Sequence, residues 1–341
     1  MQSEPDIDKN SFFEAVRNKY GIVLKKMTHI PEGAISYNYK AEAENGREYF
    51  VKIYSDSPNA RIFAFMTDFY LPVTWKLKYE RGIKDIGAPE RLKSGGFKAY
   101  FREHPFIIFE YIKGRDLGEF DDLDSEMLGK MARAVALYHK ESKGMEETVP
   151  DEIAKMKDPG ITEKHLKAAV NRALSAPPER KAHEILKEEL ELFREELEKY
   201  IKEFHYLSAA AEKIKTQKVL CHNDLHGWNI KVDEKKVPHI FDWEMSSFEP
   251  PEADIWFFIR IKNFGYFLEE YKKIYGPYEL HMDLLAFYAH KYSLNVLANC
   301  TARILKENHG KMQDKRDLDV ILVQIGKLRS IKSNLKKIQH R

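Results

Sequence analysis

The sequence predicts an α+β protein, with an antiparallel sheet in its first third and a mainly helical remainder. Three observations lead there. Between residues 22 and 112 the pattern is mostly strand-like, in the short runs GIVLKKMTHI, SYNYKAEA, REYFVKIYS, KAYF and FIIFEYI. From residue 124 onward the apolar residues recur at intervals of three and four, the period of helices. Asn45-Gly46 stands between two strand-like runs and is the residue pair that tight hairpins favour, because both central positions need positive φ.

Taken in order, residues 58–82 read as a helix lying on that sheet, broken at Pro72, which has no amide hydrogen to give and clashes with the preceding turn. Residues 178–215 carry Ala182, Leu186, Leu190, Phe193, Leu197, Ile201, Phe204 and Leu207, one apolar stripe on one helix. Either a coiled coil or a long helix packed on a globular body would use it. Helical periodicity returns from residue 252 to the end. There is no internal repeat and no low-complexity linker.

Composition sets limits on partners and compartment. A chain of 341 residues, 43% of them hydrophobic, suffices for about two domains or one bilobal unit. With 56 basic and 54 acidic residues the net charge of +2 gives no global reason to expect nucleic acid or a membrane surface. Only Cys221 and Cys300 occur, far apart, as in a reducing compartment. The start MQSEPDIDKN lacks the basic and apolar stretches of a secretory signal, and no apolar run nears the roughly 18 residues of a membrane span. The expectation is a soluble, cytoplasmic protein whose oligomeric state stays open.

Chemistry concentrates in residues 219–244, VLCHNDLHGWNIKVDEKKVPHIFDWE. Two short strands, NIKV and HIFDW, are joined by the polar turn DEKK and preceded by the loop HNDLHGWN, so polar groups sit on a loop and at a strand end held by buried backbone. The form H-x-D-L-x-x-x-N, followed after a hairpin by Asp, is a phosphoryl-transfer pattern. Asp224 is placed to accept a substrate hydroxyl's proton. Asn229 offers magnesium a neutral oxygen, and Asp242 an anionic one. Each of the two loop residues alone could be a turn cap, but the joint spacing with Asp242 argues against that. A zinc site from Cys221, His222 and His226 has no second ligand pair, and a loop-bracing role suits both histidines better.

HNDLHGWN followed by IFDWE resembles the signature of the aminoglycoside phosphotransferase and choline kinase family, small-molecule kinases with a bilobal protein-kinase-like fold. The resemblance runs from about residue 22 to residue 258 and is nearest the spectinomycin phosphotransferase type. It implies an N-terminal nucleotide-binding lobe over residues 1–112 and a larger helical lobe over 113–341 with the catalytic loop and acceptor site. It also implies ATP and Mg2+ as cofactors, Asp224 as catalytic base, Asn229 and Asp242 as metal ligands, and Asp254 as a bracing residue.

The N-terminal third offers a check. Such a lobe needs an inward lysine, and alternation puts Phe50, Lys52 and Tyr54 on one face of REYFVKIY, so that Phe50 can flank adenine and Lys52 reach the phosphates. By resemblance, backbone groups at Glu110, Tyr111 and Ile112 pair with adenine. EGAISYN is a thin phosphate loop, with Gly33 as its one glycine and Ser36 and Asn38 as donors. No Glu lies in the helix after residue 58 to pair with Lys52, so Asp68 is expected there, with Glu80 second.

Glu244, Glu249 and Glu252 could draw a cationic acceptor such as an aminoglycoside or aminocyclitol, or be ordinary charges. Housekeeping kinases of choline, homoserine, methylthioribose or fructosamine share the fold, so the acceptor stays open. Two other classes compete. An inactive kinase-like binding protein would have lost Lys52, Asp224, Asn229 or Asp242, and none is lost. The tail GKLRSIKSNLKKIQHR has six basic and no acidic residues and could touch RNA or a membrane, but its stripe of Leu328, Ile331, Leu335 and Ile338 packs more simply on the rest of the chain.

Overall fold

The computed structural model describes residues 4–31, 35–120, 123–148, 163–306 and 310–339. Contacts divide the chain into two compact units that do not follow sequence order. One comprises residues 1–156, 218–248 and 266–277, the other 157–217, 249–265 and 278–341.

The first unit is built on a five-stranded antiparallel sheet. Helix α1 (Lys9–Tyr20) leads into β1 (Leu24–Ile30), β2 (Ser36–Ala43) and β3 (Glu48–Tyr54); helix α2 (Pro58–Tyr79) follows, then β4 (Ala99–Phe101) and β5 (His104–Glu110). Their order is β1-β2-β3-β5-β4. A hairpin turn forms at Asn45-Gly46, but only Gly46 takes positive φ, at +82: Gly46 N–H donates to Ala43 O at 3.0 Å, Ala43 N–H donates to Arg47 O at 2.9 Å, and the Asn45 carboxamide oxygen takes the Arg47 N–H, a longer turn than one with both central positions at positive φ. Tyr49, Val51 and Ile53 of β3 and Tyr39, Ala41 and Ala43 of β2 turn one face toward α1, which answers with Phe12, Val16 and Tyr20 at intervals of four. Asp8 caps that helix through the N–H groups of Asn10 and Ser11, and Phe12 meets Phe101 and Phe106 edge-on at 5.3 and 5.0 Å.

Two expectations need correction. Helix α2 is not broken at Pro72 but runs through it. The missing N–H costs one ladder bond, yet Phe69, Tyr70, Leu71, Val73 and Leu77 are all buried around the proline, and this packing outweighs the lost bond. The run HIFDW is not one strand: only Pro238–Ile240 pairs, and the chain leaves the extended conformation before Asp242.

The rest of this unit frames the loop at 222–229. Strand β6 (Arg115–Asp116) and helix α3 (Ser125–Glu141) precede β7 (Val219–Cys221), β8 (Ile230–Val232), β9 (Pro238–Ile240) and β10 (Ser247–Glu249), of which β6, β8 and β9 form a small antiparallel sheet. Trp243 is buried and meets Tyr138 of α3 edge-on at 5.1 Å, with the His222 ring 4.8 Å away.

In the second unit, helix α4 (Glu163–Ser175) and helix α5 (Lys181–Ala211) precede the short α6 (Glu252–Ile255). Helix α7 (Phe264–Tyr275), which falls mostly in the first unit, is followed by α8 (Met282–Lys306) and α9 (Lys311–Gln339). Helix α8 packs on α4, α5, α6 and α9. Of the expected α5 stripe, Ala182, Leu186, Leu190, Phe193, Leu197, Ile201 and Leu207 are buried and Phe204 is half-buried. The long-helix reading is therefore the right one. The basic tail packs too: Leu328 and Ile331 are buried, and Arg329 and Lys332 pair with Glu196 and Glu203 of α5 at 2.7 and 3.0 Å. Its last two residues lie outside the described ones. No helix among the described residues is long and apolar enough to cross a membrane.

Candidate active site

The loop after β7 is fixed at its start by the side chains of His222 and Asn223. Asn223 adopts φ +63 and donates from Nδ2 to Met245 O and Ser247 Oγ at 3.0 and 2.8 Å. Asp224 N–H donates to His222 Nδ1 at 3.3 Å, so the hydrogen of that imidazole sits on Nε2, which donates to Phe241 O at 2.8 Å. His222 thus ties the loop to the end of β9 and is a brace, as the sequence suggested, rather than a metal ligand.

Gly227 sits so close to the chain at Gly118 that a Cβ there would lie 1.7 Å from Gly118 O. The N–H groups of Leu117 and Gly118 both donate to Gly227 O, at 3.2 and 3.3 Å. Only glycine permits that approach. It sets the one-turn helix of Gly227–Asn229, from which the buried Asn229 points back to Asp224, donating from Nδ2 to its carbonyl at 2.9 Å and to its Oδ2 at 3.1 Å. His226 Nε2 stands 3.4 Å from the same Oδ2. Asp224 keeps part of its carboxylate exposed.

Pairing of β8 with β9 carries Asp242 to this loop. Ile230 faces Ile240, and Phe241 N–H donates to Asn229 O at 3.0 Å. Asp242 then takes φ +66, ψ +59, a left-handed turn that Asp tolerates better than branched residues. Its Oδ1 accepts from Lys52 Nζ at 2.5 Å, which joins β3 to the end of the β8–β9 hairpin.

Lys52 is buried on the face of β3 opposite the α1 contact, and it has a second carboxylate. Glu244 Oε1 accepts from Nζ at 2.9 Å. Tyr54, on the same face, donates its hydroxyl to that Oε1, and the buried Tyr70 of α2 lies beside the pair. Burial alone would depress the Lys52 pKa, but the two carboxylates more than reverse this and hold it above the ordinary lysine value. Burial raises the Glu244 pKa against the pull of Lys52, and burial beside Glu244 pushes the Tyr54 hydroxyl up. Lys52 therefore stays cationic across the physiological range.

The expected partner, Asp68, is elsewhere: its Oδ2 takes Lys98 Nζ at 2.6 Å on the outer part of α2, and Glu80 is only the C-cap of that helix. Alternation along α2 could not show this, because the true partner is 192 positions away in sequence. Glu244 and Glu252 are likewise not free charges for a cationic acceptor. Glu244 is spent on Lys52; Glu252 is buried and accepts the His281 N–H at 2.9 Å, while Glu249 accepts the Tyr288 hydroxyl at 3.0 Å.

Other expected nucleotide residues fall around the same strands. Ser36 and Asn38 face Tyr54 and Lys52 across the β2–β3 register, the Ser36 hydroxyl donating to Asn38 Oδ1 at 2.8 Å. Gly33 lies outside the described residues. Phe50 is half-buried opposite Phe109. The Glu110 carboxylate accepts from Lys78 Nζ at 3.0 Å, and Tyr111 N–H is taken by Glu48 O. Gly87 fits under Phe241 and Ile112, where a Cβ would lie 3.0 Å from the Phe241 side chain and 3.6 Å from that of Ile112.

Sheet, loop and lysine define the class first: this is a kinase-like fold. Spectinomycin phosphotransferase, solved with ADP and spectinomycin, has the same fold with a TM-score of 0.73 at 18% identity, over 96% of this chain and 99% of that one. Amicoumacin kinase, solved with AMP-PNP, Ca2+ and Ami, gives 0.59 at 14% identity over 96% and 94%. Plasmodium vivax ethanolamine kinase gives 0.58 at 15% over 96% and 86%. No curated protein matches the chain. The model of the phosphotransferase enzyme family matches residues 26–288, well over half of the sequence, and the chain belongs to that family. It is a phosphotransferase acting on hydroxyl groups.

Proposed function

We propose that the protein transfers the γ-phosphoryl group of ATP, with magnesium, to a hydroxyl of a small aminoglycoside- or aminocyclitol-like molecule. The observation that carries this is the meeting of Lys52, from the sheet, with Asp242, one residue beyond the backbone bond to Asn229. Asp224 orients the acceptor hydroxyl through its exposed carboxylate and takes its proton as the new bond forms. The Asn229 carboxamide and the His226 ring hold that carboxylate in place. Lys52 reaches the phosphates. Phe50, Ser36 and backbone groups at Glu110 and Ile112 belong to the nucleotide side, within residues 1–112, and the acceptor is met by the chain beyond 113.

The donor set fits magnesium. With its Nδ2 turned to Asp224, Asn229 has its carboxamide oxygen left for a cation, and Asp242 has Oδ2 free of the lysine contact. When bound, the ion would neutralise charge on the phosphates, with Asn229 and Asp242 holding it.

The acceptor reading is supported by the match to spectinomycin phosphotransferase over nearly the whole of both chains. The match to an ethanolamine kinase favours a second reading, a housekeeping amino-alcohol or sugar kinase. A coupled ADP-release panel of spectinomycin, aminoglycosides, choline, ethanolamine, homoserine, methylthioribose and fructosamines decides between them. Turnover confined to a non-antibiotic acceptor overturns the first reading. No turnover with any acceptor, together with no ATP binding, overturns both.

A further inference from the structure

Lys52 carries three ammonium hydrogens, and two of them are engaged, by Asp242 and by Glu244. The two acids differ in what else they can do. Asp242 keeps about a third of its side chain exposed and sits in a left-handed turn beside Asn229. Glu244 is enclosed, and its Oε1 receives both the lysine and the Tyr54 hydroxyl, with Tyr70 behind. A carboxylate drawn to a cation loosens its hold on lysine, because both draw on the same negative charge. Asp242 is open to such a cation and Glu244 is not.

We propose that Glu244, held by Tyr54, is the positioning residue for Lys52, keeping the ammonium aimed at the nucleotide phosphates when Asp242 turns to a metal ion. This rests on the reading of Lys52 as the phosphate lysine. In protein kinases the acid that pairs with this lysine stands on a helix, and displacing the helix breaks the pair. Here the corresponding helix has no Glu, and its one carboxylate, Asp68, is bound to Lys98. The anchor instead lies two residues after Asp242, in the turn of Trp243–Met245, whose tryptophan is pinned by Tyr138 and His222. The lysine anchor and the metal acid thus sit on one turn, and no carboxylate of α2 holds Lys52.

The test uses the full chain. Binding of magnesium-ATP and of adenosine is measured by calorimetry for wild type, Glu244→Gln and Tyr54→Phe, and thermal unfolding without nucleotide is measured for Lys52→Met, Glu244→Gln and the double variant. Glu244→Gln keeps shape but removes the charge, and it should weaken magnesium-ATP about tenfold or more, the scale of one lost charge-assisted hydrogen bond, with adenosine unchanged within about twofold. Tyr54→Phe should weaken magnesium-ATP in the same direction by a smaller factor, and it serves if Glu244→Gln fails to fold. The two unfolding effects should be non-additive, since removing either partner already breaks the pair. Magnesium-ATP binding equal to wild type, an equal loss for adenosine, or additive unfolding effects would each overturn the proposal. A wild type that binds adenosine and magnesium-ATP equally would instead remove the phosphate role of Lys52, and this proposal with it.

Discussion

Gly227→Ala separates the role of backbone approach from that of side-chain chemistry, since glycine has no group to offer the reaction. The added methyl would lie 1.7 Å from Gly118 O and 2.7 Å from its carbonyl carbon. An ordinary contact needs at least about 3.4 Å, so one of the two segments must move by well over 1 Å. Both are backbone, and neither can rotate away. That movement breaks the donation from Gly118 to Gly227 O, worth about 1 kcal/mol, and the weaker one from Leu117, whose N–H keeps Ile230 O at 2.9 Å, worth up to about 1 kcal/mol, and leaves the carbonyl partly unpaired at about 1–2 kcal/mol more. The sum is about 2–4 kcal/mol, which for a unit of this size lowers the melting temperature by roughly 5–15 °C. Turnover should fall further than the residual folded fraction explains, because Asp224 and Asn229 ride on the same loop. Differential scanning fluorimetry and ATPase or transfer assays below the melting transition measure both. Gly118→Ala is the control: its Cβ meets nothing within 4 Å, and only φ +78 is strained, at about 1 kcal/mol. A Gly227→Ala protein melting within 2–3 °C of wild type, about 1 kcal/mol or less, would refute the clash argument.

Asp224→Asn should lose about a hundred- to ten-thousand-fold in turnover with ATP affinity nearly intact, and activity within about threefold of wild type would exclude it as the base. Asp242→Ala should weaken magnesium-dependent ATP binding as well as turnover; unchanged affinity in a magnesium titration would count against its role as a ligand. Burial raises the Glu252 pKa, so its contribution to stability is fully present below the ordinary Glu value and is lost as pH rises through the raised value. Glu252→Gln should therefore gain on wild type as pH rises from acid to neutral, and melting curves that stay parallel across that range would contradict the assignment. Leu328→Ala should cost about 2–4 kcal/mol, because the tail helix packs through it; an unchanged melting temperature would return the tail to a surface role.

Much of this was legible in local pattern. Alternation marked β2 and β3, short apolar runs marked β1, β4 and β5, Asn45-Gly46 marked the hairpin, and seven of the eight residues named in the α5 stripe are buried. The spacing of Asp224, Asn229 and Asp242 singled out groups that the fold does gather, since it reflects one loop and one hairpin. What escaped was set by contacts remote in sequence. The partner of Lys52 depends on where the turn after β9 meets β3, and no periodicity encodes that register. Tyr54, two residues from Lys52 on one strand, and Glu244, two residues past Asp242, were the available clues. Helix α1 was hidden for a different reason. Its polar composition masks a three-residue stripe, Phe12, Val16 and Tyr20, though Asp8 stands as its cap. Pro72 misled because intrinsic helix-breaking is a smaller effect than the burial around it.

The position of α1 bears on how the protein can be handled. The family match begins at residue 26, past the end of this helix, so trimming to the matched segment removes Phe12, Val16 and Tyr20 together. Tyr49, Val51, Ile53, Tyr39 and Phe106 would then face water as one contiguous greasy slab, the sort of surface that makes molecules stick to one another rather than unfold singly. A shortened version that precipitates on purification would be reporting a missing lid over the sheet, with its reactive groups untouched.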